Sequence, residues 1–190
     1  KKFTDTGGNI REVLRVLFNS DFFKNSRFKK IKSPVDFVVG TVKIAGTHTV
    51  PQPDLVNLAA ATSLMGQTLM DPPTVESWHT GAEWVDSGTL TDRVNFAVEH
   101  IGDINSIGIQ DIVHRIKTMG TKVSPEDFVN RCLDLLGNME VDSKTHQGLL
   151  EFANSVGELQ FRNAEENQQS LQKIRQMLQL AVSCPEYQFT

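Results

Sequence analysis

Apolar residues recur along this chain at three- and four-residue intervals, and that spacing restricts its fold more than any other feature. Ile10, Val13, Leu14, Leu17 and Phe18 fall at i, i+3, i+4, i+7 and i+8, one face of a helix, with Asn9 placed to cap it. Ser33-Pro34-Val35-Asp36 is a helix start: serine caps, proline fits the first turn, and the aspartate sits three residues after the cap. Residues 37–45 behind it are apolar nearly all round, which predicts a central helix ended by Gly46. Residues 55–65, rich in alanine and closed by Gly66, are expected to form a second buried helix.

Beyond an interruption at 66–88, the helical spacing returns. Thr89-Leu90-Thr91-Asp92 has a capping-box pattern, and Val94, Phe96, Ala97 and Ile101 follow it to Gly102. Ile109, Ile112, Val113 and Ile116 form one stripe. Ser124-Pro125-Glu126-Asp127 opens another helix, carrying Phe128, Val129, Cys132, Leu133 and Leu136. Asp142 or Ser143 can cap a helix with Leu149, Leu150, Ala153 and Val156, and a last one places Leu171, Ile174, Leu178, Ala181 and Val182 on one side. No run of alternating β-branched residues occurs, and no fixed-period repeat. The expected fold is therefore all-α: an irregular bundle of about seven to nine helices with one long ordered loop and no substantial sheet. Residues 1–103 are expected to form the main bundle, carrying the loop 66–92. Residues 104–190 would form a smaller helical part, its last helix packed on the first.

Composition closes some routes. A net charge of −4 argues against a dedicated nucleic-acid binder, so none is expected as a partner. Cys132 and Cys184 are too few for a disulfide framework, and a single bridge between them stays open. No apolar run approaches the about 18 residues that span a bilayer, and the first residues lack the apolar stretch of a signal peptide. Without an initiating methionine, the chain is expected to be excised from a longer protein.

The interrupted segment holds Pro72, Pro73, Gly81, Gly88 and both tryptophans. Trp78, His79, Glu83, Trp84 and Asp86 fall within nine positions of it, and binding residues concentrate on loops held by rigid scaffolds. Exposed Trp rings can stack on sugar faces or anchor a protein partner. Alternatively, both rings pin the loop to the helices, with their N–H groups satisfied. His79 and Glu83 have the i, i+4 spacing of a helical metal pair, but Gly81 argues against a helix there, and Asp71, Asp86 and Asp92 would add ligands only if the fold gathered them. No Cys-x-x-Cys or His-Glu-x-x-His pattern exists, and neither a metal nor another cofactor is expected. No nucleophile motif or phosphate-binding loop is present. Residues 24–32 carry Lys24, Arg27, Lys29, Lys30 and Lys32 with no acid, interleaved with Phe28 and Ile31. They suit either a phosphate, polyanionic glycan or acidic partner, or a solvated rim. His48, His100, His114 and His146 are scattered and expected to act singly. Arg93, just after the loop, is expected to anchor it through its carbonyls.

Three stretches read together resemble the uncharacterised bacterial family called domain of unknown function 1800, in its C-terminal part. They are Arg27-Phe28-Lys29-Lys30-Ile31-Lys32-Ser33-Pro34-Val35-Asp36-Phe37-Val38-Val39-Gly40; Met65-Gly66-Gln67 through Pro72-Pro73, Trp78, Gly81 and Trp84 to Arg93-Val94-Asn95-Phe96; and Ser183-Cys184-Pro185-Glu186-Tyr187-Gln188. Members of that family usually carry glycine just before the tryptophan at 78. Ser77 stands there in this chain, which argues against a tight turn with positive φ. The resemblance implies no activity. It implies an exported or cell-envelope setting and a sulfatase-like exported partner.

Two functions follow as expectations. The first is a binding or scaffold module of an exported bacterial protein, with its surface on the 66–92 loop at Trp78, His79, Glu83 and Trp84, for a protein or glycan partner. The second is part of a hydrolytic enzyme, working with or without the assistance of a metal. In it His79, Glu83 and Asp86 supply ligands or acid–base groups, and a missing N-terminal portion supplies the rest.

Overall fold

The computed structural model describes residues 1–190. Three helices form an N-terminal arm: α1 (Lys2–Asp5), α2 (Ile10–Asn19) and α3 (Asp21–Lys24). Asn9 caps α2 by accepting the Glu12 amide at 3.3 Å, and Ser20 caps α3 through the Phe23 amide. None of the arm's helical residues is buried. The stripe read from the sequence is there, but it lies open: Ile10, Leu14, Leu17 and Phe18 are 41–58% exposed.

Helix α4 (Pro34–Ala45) begins as its residues dictate. Ser33 Oγ accepts the Asp36 amide, the Asp36 carboxylate accepts the Ser33 amide, and Gly46 ends the helix at φ 70°. Phe37, Val38, Val42 and Ala45 are buried. Helix α5 (Leu55–Leu64) corrects the expectation of a second central helix. Only Thr62 is buried, Leu58 and Ala61 are partly covered, and Val56 and Leu64 are 73% and 70% exposed. Neighbours cover α5 on one side only, and an apolar run does not reveal how many sides are covered.

Helix α6 (Ser87–Ile101) starts three residues before the capping pattern suggested, with Asp86 rather than Thr89 as its cap. Asp86 Oδ1 accepts the amides of Gly88 and Thr89, and Thr89 Oγ1 accepts the amide of Asp86. A carboxylate that satisfies two of the free amides at a helix start fixes the first turn there, glycine included. Then follow α7 (Ile107–Lys117), β1 (Lys122–Val123), α8 (Pro125–Leu135), α9 (Ser143–Val156), β2 (Leu159–Gln160) and α10 (Ala164–Ser183). Short 3₁₀ turns occupy Gly81–Trp84 and Pro185–Gln188. The two strands pair antiparallel over two residues each. Eight of the ten α-helices have ten or more residues, so the chain is all-α with no substantial sheet. No helix is long and apolar enough to cross a membrane.

One buried cluster runs from Phe37 to Tyr187. Helix α10 supplies its spine: Ile174, Met177, Leu178, Ala181 and Val182 are fully buried against α6, α8 and α9. Gln179 of α10 donates to the Val98 carbonyl of α6 at 3.2 Å. The C-terminal residues strap the entrance to α4. Thr190 and Lys30 exchange backbone bonds of 2.8 and 3.3 Å, and the Lys32 amide donates to the Gln188 carbonyl at 2.8 Å.

Helices α4 and α7 cross so closely that Gly108 has no room for a side chain. A Cβ there would collide with the Ile44 carbonyl oxygen and lie 2.8 Å from the Ala45 carbonyl carbon. Backbone cannot step aside as a flexible side chain can. Gly108→Ala should therefore lower stability by about 2–3 kcal/mol in urea unfolding. A neutral result would show that the crossing is looser than this.

Candidate functional site

The segment from Gly66 to Asp86 is irregular but closed by its own side chains. Gly66, at φ 97°, lets the chain leave α5, and the Gln67 amide returns to the Thr62 carbonyl at 2.8 Å. Gln67 Oε1 accepts the Val35 amide at 3.1 Å, tying the loop to the first turn of α4. Ten residues on, the Trp78 indole N–H donates to the Thr68 carbonyl at 2.9 Å. Trp84 is 5% exposed and lies over Gly66, where a Cβ would meet its ring at 3.9 Å. Thr89 Oγ1 donates to the Trp84 carbonyl at 3.1 Å.

The two tryptophans thus differ in kind. Trp84 is an interior anchor. Trp78 is half-buried, held by its N–H, and keeps part of its ring open. The His79 ring stands edge-on to Trp84, with centroids 6.3 Å apart. His79 Nδ1 is 3.6 Å from Glu83 Oε2, and both side chains are exposed. Glu83 Oε2 also accepts the Thr80 amide at 3.2 Å, closing the 3₁₀ turn.

The remaining acidic candidates go elsewhere. Asp86 is committed to the first turn of α6, and the amides of Thr89 and Gly88 hold its carboxyl below the usual carboxylate range. No three His, Cys, Asp or Glu side chains stand close enough together to hold a metal ion. Arg93 is fully buried, and its guanidinium reaches the Lys32 carbonyl at 3.0 Å and Gln188 Oε1 at 3.4 Å rather than loop 66–92.

Ser77 takes φ 88°, so the positive φ that its residue type argued against is present. The turn that imposes it is local. The Ser77 amide donates to the Thr74 carbonyl at 3.0 Å, and Thr74 Oγ1 accepts the Glu76 amide at 3.2 Å. A side chain at such a φ costs about 1–2 kcal/mol, while glycine loses more chain entropy, about 0.5–1 kcal/mol. Ser77→Gly is thus expected to stabilise the protein by about 0.5–1 kcal/mol in urea unfolding. Destabilisation would contradict the turn.

Trp78 and Trp84 form a wall shared by two clefts. One, of about 570 Å³, lies between the 29–36 stretch and the loop, where Lys29, Lys30, Gln67, His79 and Thr80 present polar groups. The other, of about 460 Å³, lies on the α5–α6 side beside Thr68, Asp71 and Glu83. The basic stretch is only partly free to serve a ligand. Arg27 pairs with Glu140 at 3.2 Å, Lys30 with Asp36 at 3.2 Å, and Lys32 donates to the Tyr187 carbonyl at 2.8 Å. Burial first, then the charge of Arg93, lowers Lys32 to about 8.

Sequence reasoning missed a third cleft, of about 640 Å³, between the ends of α4 and α6. It brings His48 and Asp54 together with Glu99, His100 and Asp103 from a separate stretch of the chain. His48 Nε2 is 3.3 Å from Asp54 Oδ1. Only the shared position of the two helix ends unites these residues, and no local spacing signals it.

No curated protein and no solved structure matches the chain. A family model described as "Protein of unknown function (DUF1800)" matches residues 1–189, and the chain belongs to that family.

Proposed function

We propose that this chain is a binding module whose ligand surface is the pair of clefts flanking Trp78, and that the ligand is a glycan. The observation that carries the reading is the half-open Trp78 ring, fixed by its bond to Thr68 and walling both clefts. A fixed aromatic face beside polar groups suits a sugar, whose C–H face stacks while its hydroxyls are bonded. The loop is organised before any ligand arrives, by Gln67, the turn at 74–77, the Thr80–Glu83 pairing and the Asp86 cap. Binding then needs little ordering of the chain. Lys29 beside the first cleft favours an acidic sugar. The setting proposed, from the family resemblance alone, is an exported bacterial protein.

Titration with neutral and uronic-acid oligosaccharides, followed by tryptophan fluorescence, tests the reading. Saturable binding is expected, with Trp78→Ala weakening it at least tenfold and His79→Ala less. Lys29→Gln should affect only the acidic series. Absence of saturable binding at millimolar sugar, or an unchanged affinity in Trp78→Ala, would sink it.

A further inference from the structure

We propose that the cleft between the ends of α4 and α6 binds a small organic amine through its primary ammonium group. The observation that carries the proposal is the state of His48. Its side chain is only 10% exposed, and it lines the cleft. Nδ1 meets the Thr47 hydroxyl at 2.8 Å, but Nε2 is buried without a hydrogen-bond partner. Asp54 Oδ1 lies 3.3 Å from Nε2, yet the contact lacks the alignment of a hydrogen bond. A buried nitrogen left in this way is costly, and a ligand group that meets it removes the cost. His100, which lines the same cleft, adds a second acceptor. Its Nδ1 is 2.9 Å from the Phe96 carbonyl, which can only accept, so in the neutral ring Nδ1 carries the proton and Nε2 keeps a lone pair.

The charge of the cleft selects the ligand. Asp54 and Glu99 bring two carboxylates, and no lysine or arginine lines the walls. Arg175, whose charge reaches Asp103, lines the adjoining cleft instead. Helices α4 and α6 both end here, and the last carbonyls of a helix lack partners within it and carry partial negative charge. The opposing start of α7 is offset by Asp103, whose carboxylate accepts the Asn105 amide at 3.0 Å and the Ser106 hydroxyl at 2.8 Å. An anion is therefore repelled. Ile107 is the one apolar residue of the lining, which holds no tryptophan, tyrosine or phenylalanine, so neither an apolar ligand nor a stacked sugar finds a surface. No three of these side chains stand close enough to hold a metal ion. An ammonium group needs no fixed coordination shell and donates up to three N–H bonds. The volume, about 640 Å³, is that of a small-molecule site. The wall bearing His48 is set before any ligand arrives: Gly46 ends α4, and Gln52 Nε2 donates to the Thr47 carbonyl at 3.0 Å. Asp54, half exposed, is free to turn toward the amine.

Calorimetric titration at low salt with putrescine, a small diamine, tests the proposal. One-to-one binding with a Kd below about 1 mM is expected. The analogue trimethylated on both nitrogens has the same charge but no N–H, and should bind at least tenfold more weakly. Asp54→Asn and Glu99→Gln change exposed carboxylates, so folding is retained, and each should weaken putrescine at least fivefold. Glu151→Gln removes an equal charge from α9, outside the cleft, and should leave the affinity unchanged. In proton NMR of the unaltered chain, the ring signals of His48 and His100 should move with saturation while those of His79, His114 and His146 stay in place. His48→Gln and His100→Gln assign the two signals. No saturation by about 10 mM putrescine, equal affinity for the trimethylated analogue, an affinity unchanged by either cleft variant, or a His48 signal that does not move would each overturn the proposal. None of these positions lines the clefts around Trp78 except His79, which serves only as a reference signal, so this titration and the glycan titration succeed or fail separately.

Discussion

Replacing Arg93 with alanine is expected to lower stability by about 4 kcal/mol, while methionine at the same position should cost less than about 2 kcal/mol. Arg93 is fully buried in mid-α6, and its guanidinium bonds a carbonyl and an amide oxygen rather than a carboxylate. Its charge is met by the Lys32 carbonyl, by Gln188 and by the ring of Phe37, 5.2 Å from the guanidinium carbon. Nε and Nη2 have no partner, and burial lowers its pKa. Alanine would leave a void and strand the Lys32 carbonyl and the Gln188 side chain, loosening the strap formed by the last residues. Methionine keeps most of the volume and removes a charge that the interior meets only in part. Urea unfolding of the two variants gives the comparison, and equal losses would refute it.

The same cluster sets a pH dependence. Lys32 titrates near 8 in the fold and near 10.5 when unfolded, chiefly through burial and then through Arg93. Between those values the unfolded chain binds more protons, so this group makes stability rise with pH, whereas below 8 its penalty is full and constant. Its limit is about 1.4 kcal/mol per pH unit, and partial exposure leaves about half of that. Above pH 9 the Cys184 thiol, raised to about 11 chiefly by burial, works in the opposite direction. Cys132, also raised by burial, does the same. Both thiols are already half ionised at pH 9 in the unfolded chain and offset part of the rise from pH 8 to 9, so the Lys32 contribution is read as the rise in the stability difference between wild type and Lys32→Met over that interval. The rise there should shrink in Arg93→Met, which removes the second cause of the shift.

What the sequence disclosed was what local chemistry decides. Ser33 with Asp36, Ser124 with Pro125, and Gly46 each set a helix end by contacts within a few residues, and each end lies where its pattern put it. Burial was less legible. The stripe on α2 and the alanine-rich run of α5 are helical as read, but whether a helix is covered depends on elements far along the chain. The candidate site shows the same division. The loop could be located because periodicity fails there. Asp86 looked like a possible ligand because a cap and a metal ligand use the same oxygen. Ser77 looked unsuited to a positive φ because the turn that enforces it is made by Thr74, three residues earlier.

The loop's two tryptophans should separate cleanly when each is replaced. Trp84→Ala is expected to cost about 4 kcal/mol, the range for removing a large buried aromatic, because the ring is 5% exposed and fills the space over Gly66. Trp78→Ala gives up a half-buried ring and one hydrogen bond to Thr68, so about 1–2 kcal/mol is expected. Fluorescence reports the difference directly. With Trp84 removed, the remaining emission should come from Trp78 alone, shifted to the red and quenched by iodide. With Trp78 removed, it should be blue and protected. Limited proteolysis adds a local reading. Met70 and Val75 stand exposed on a segment whose closure depends on Trp84 and the Thr68 bond, so Trp84→Ala should speed cleavage between residues 68 and 80 well before the core unfolds. Should Trp84→Ala leave both stability and cleavage unchanged, the loop would be held by its turns and caps alone. The open ring of Trp78 would then be no better fixed than any surface residue, and the glycan reading would lose the rigidity it depends on.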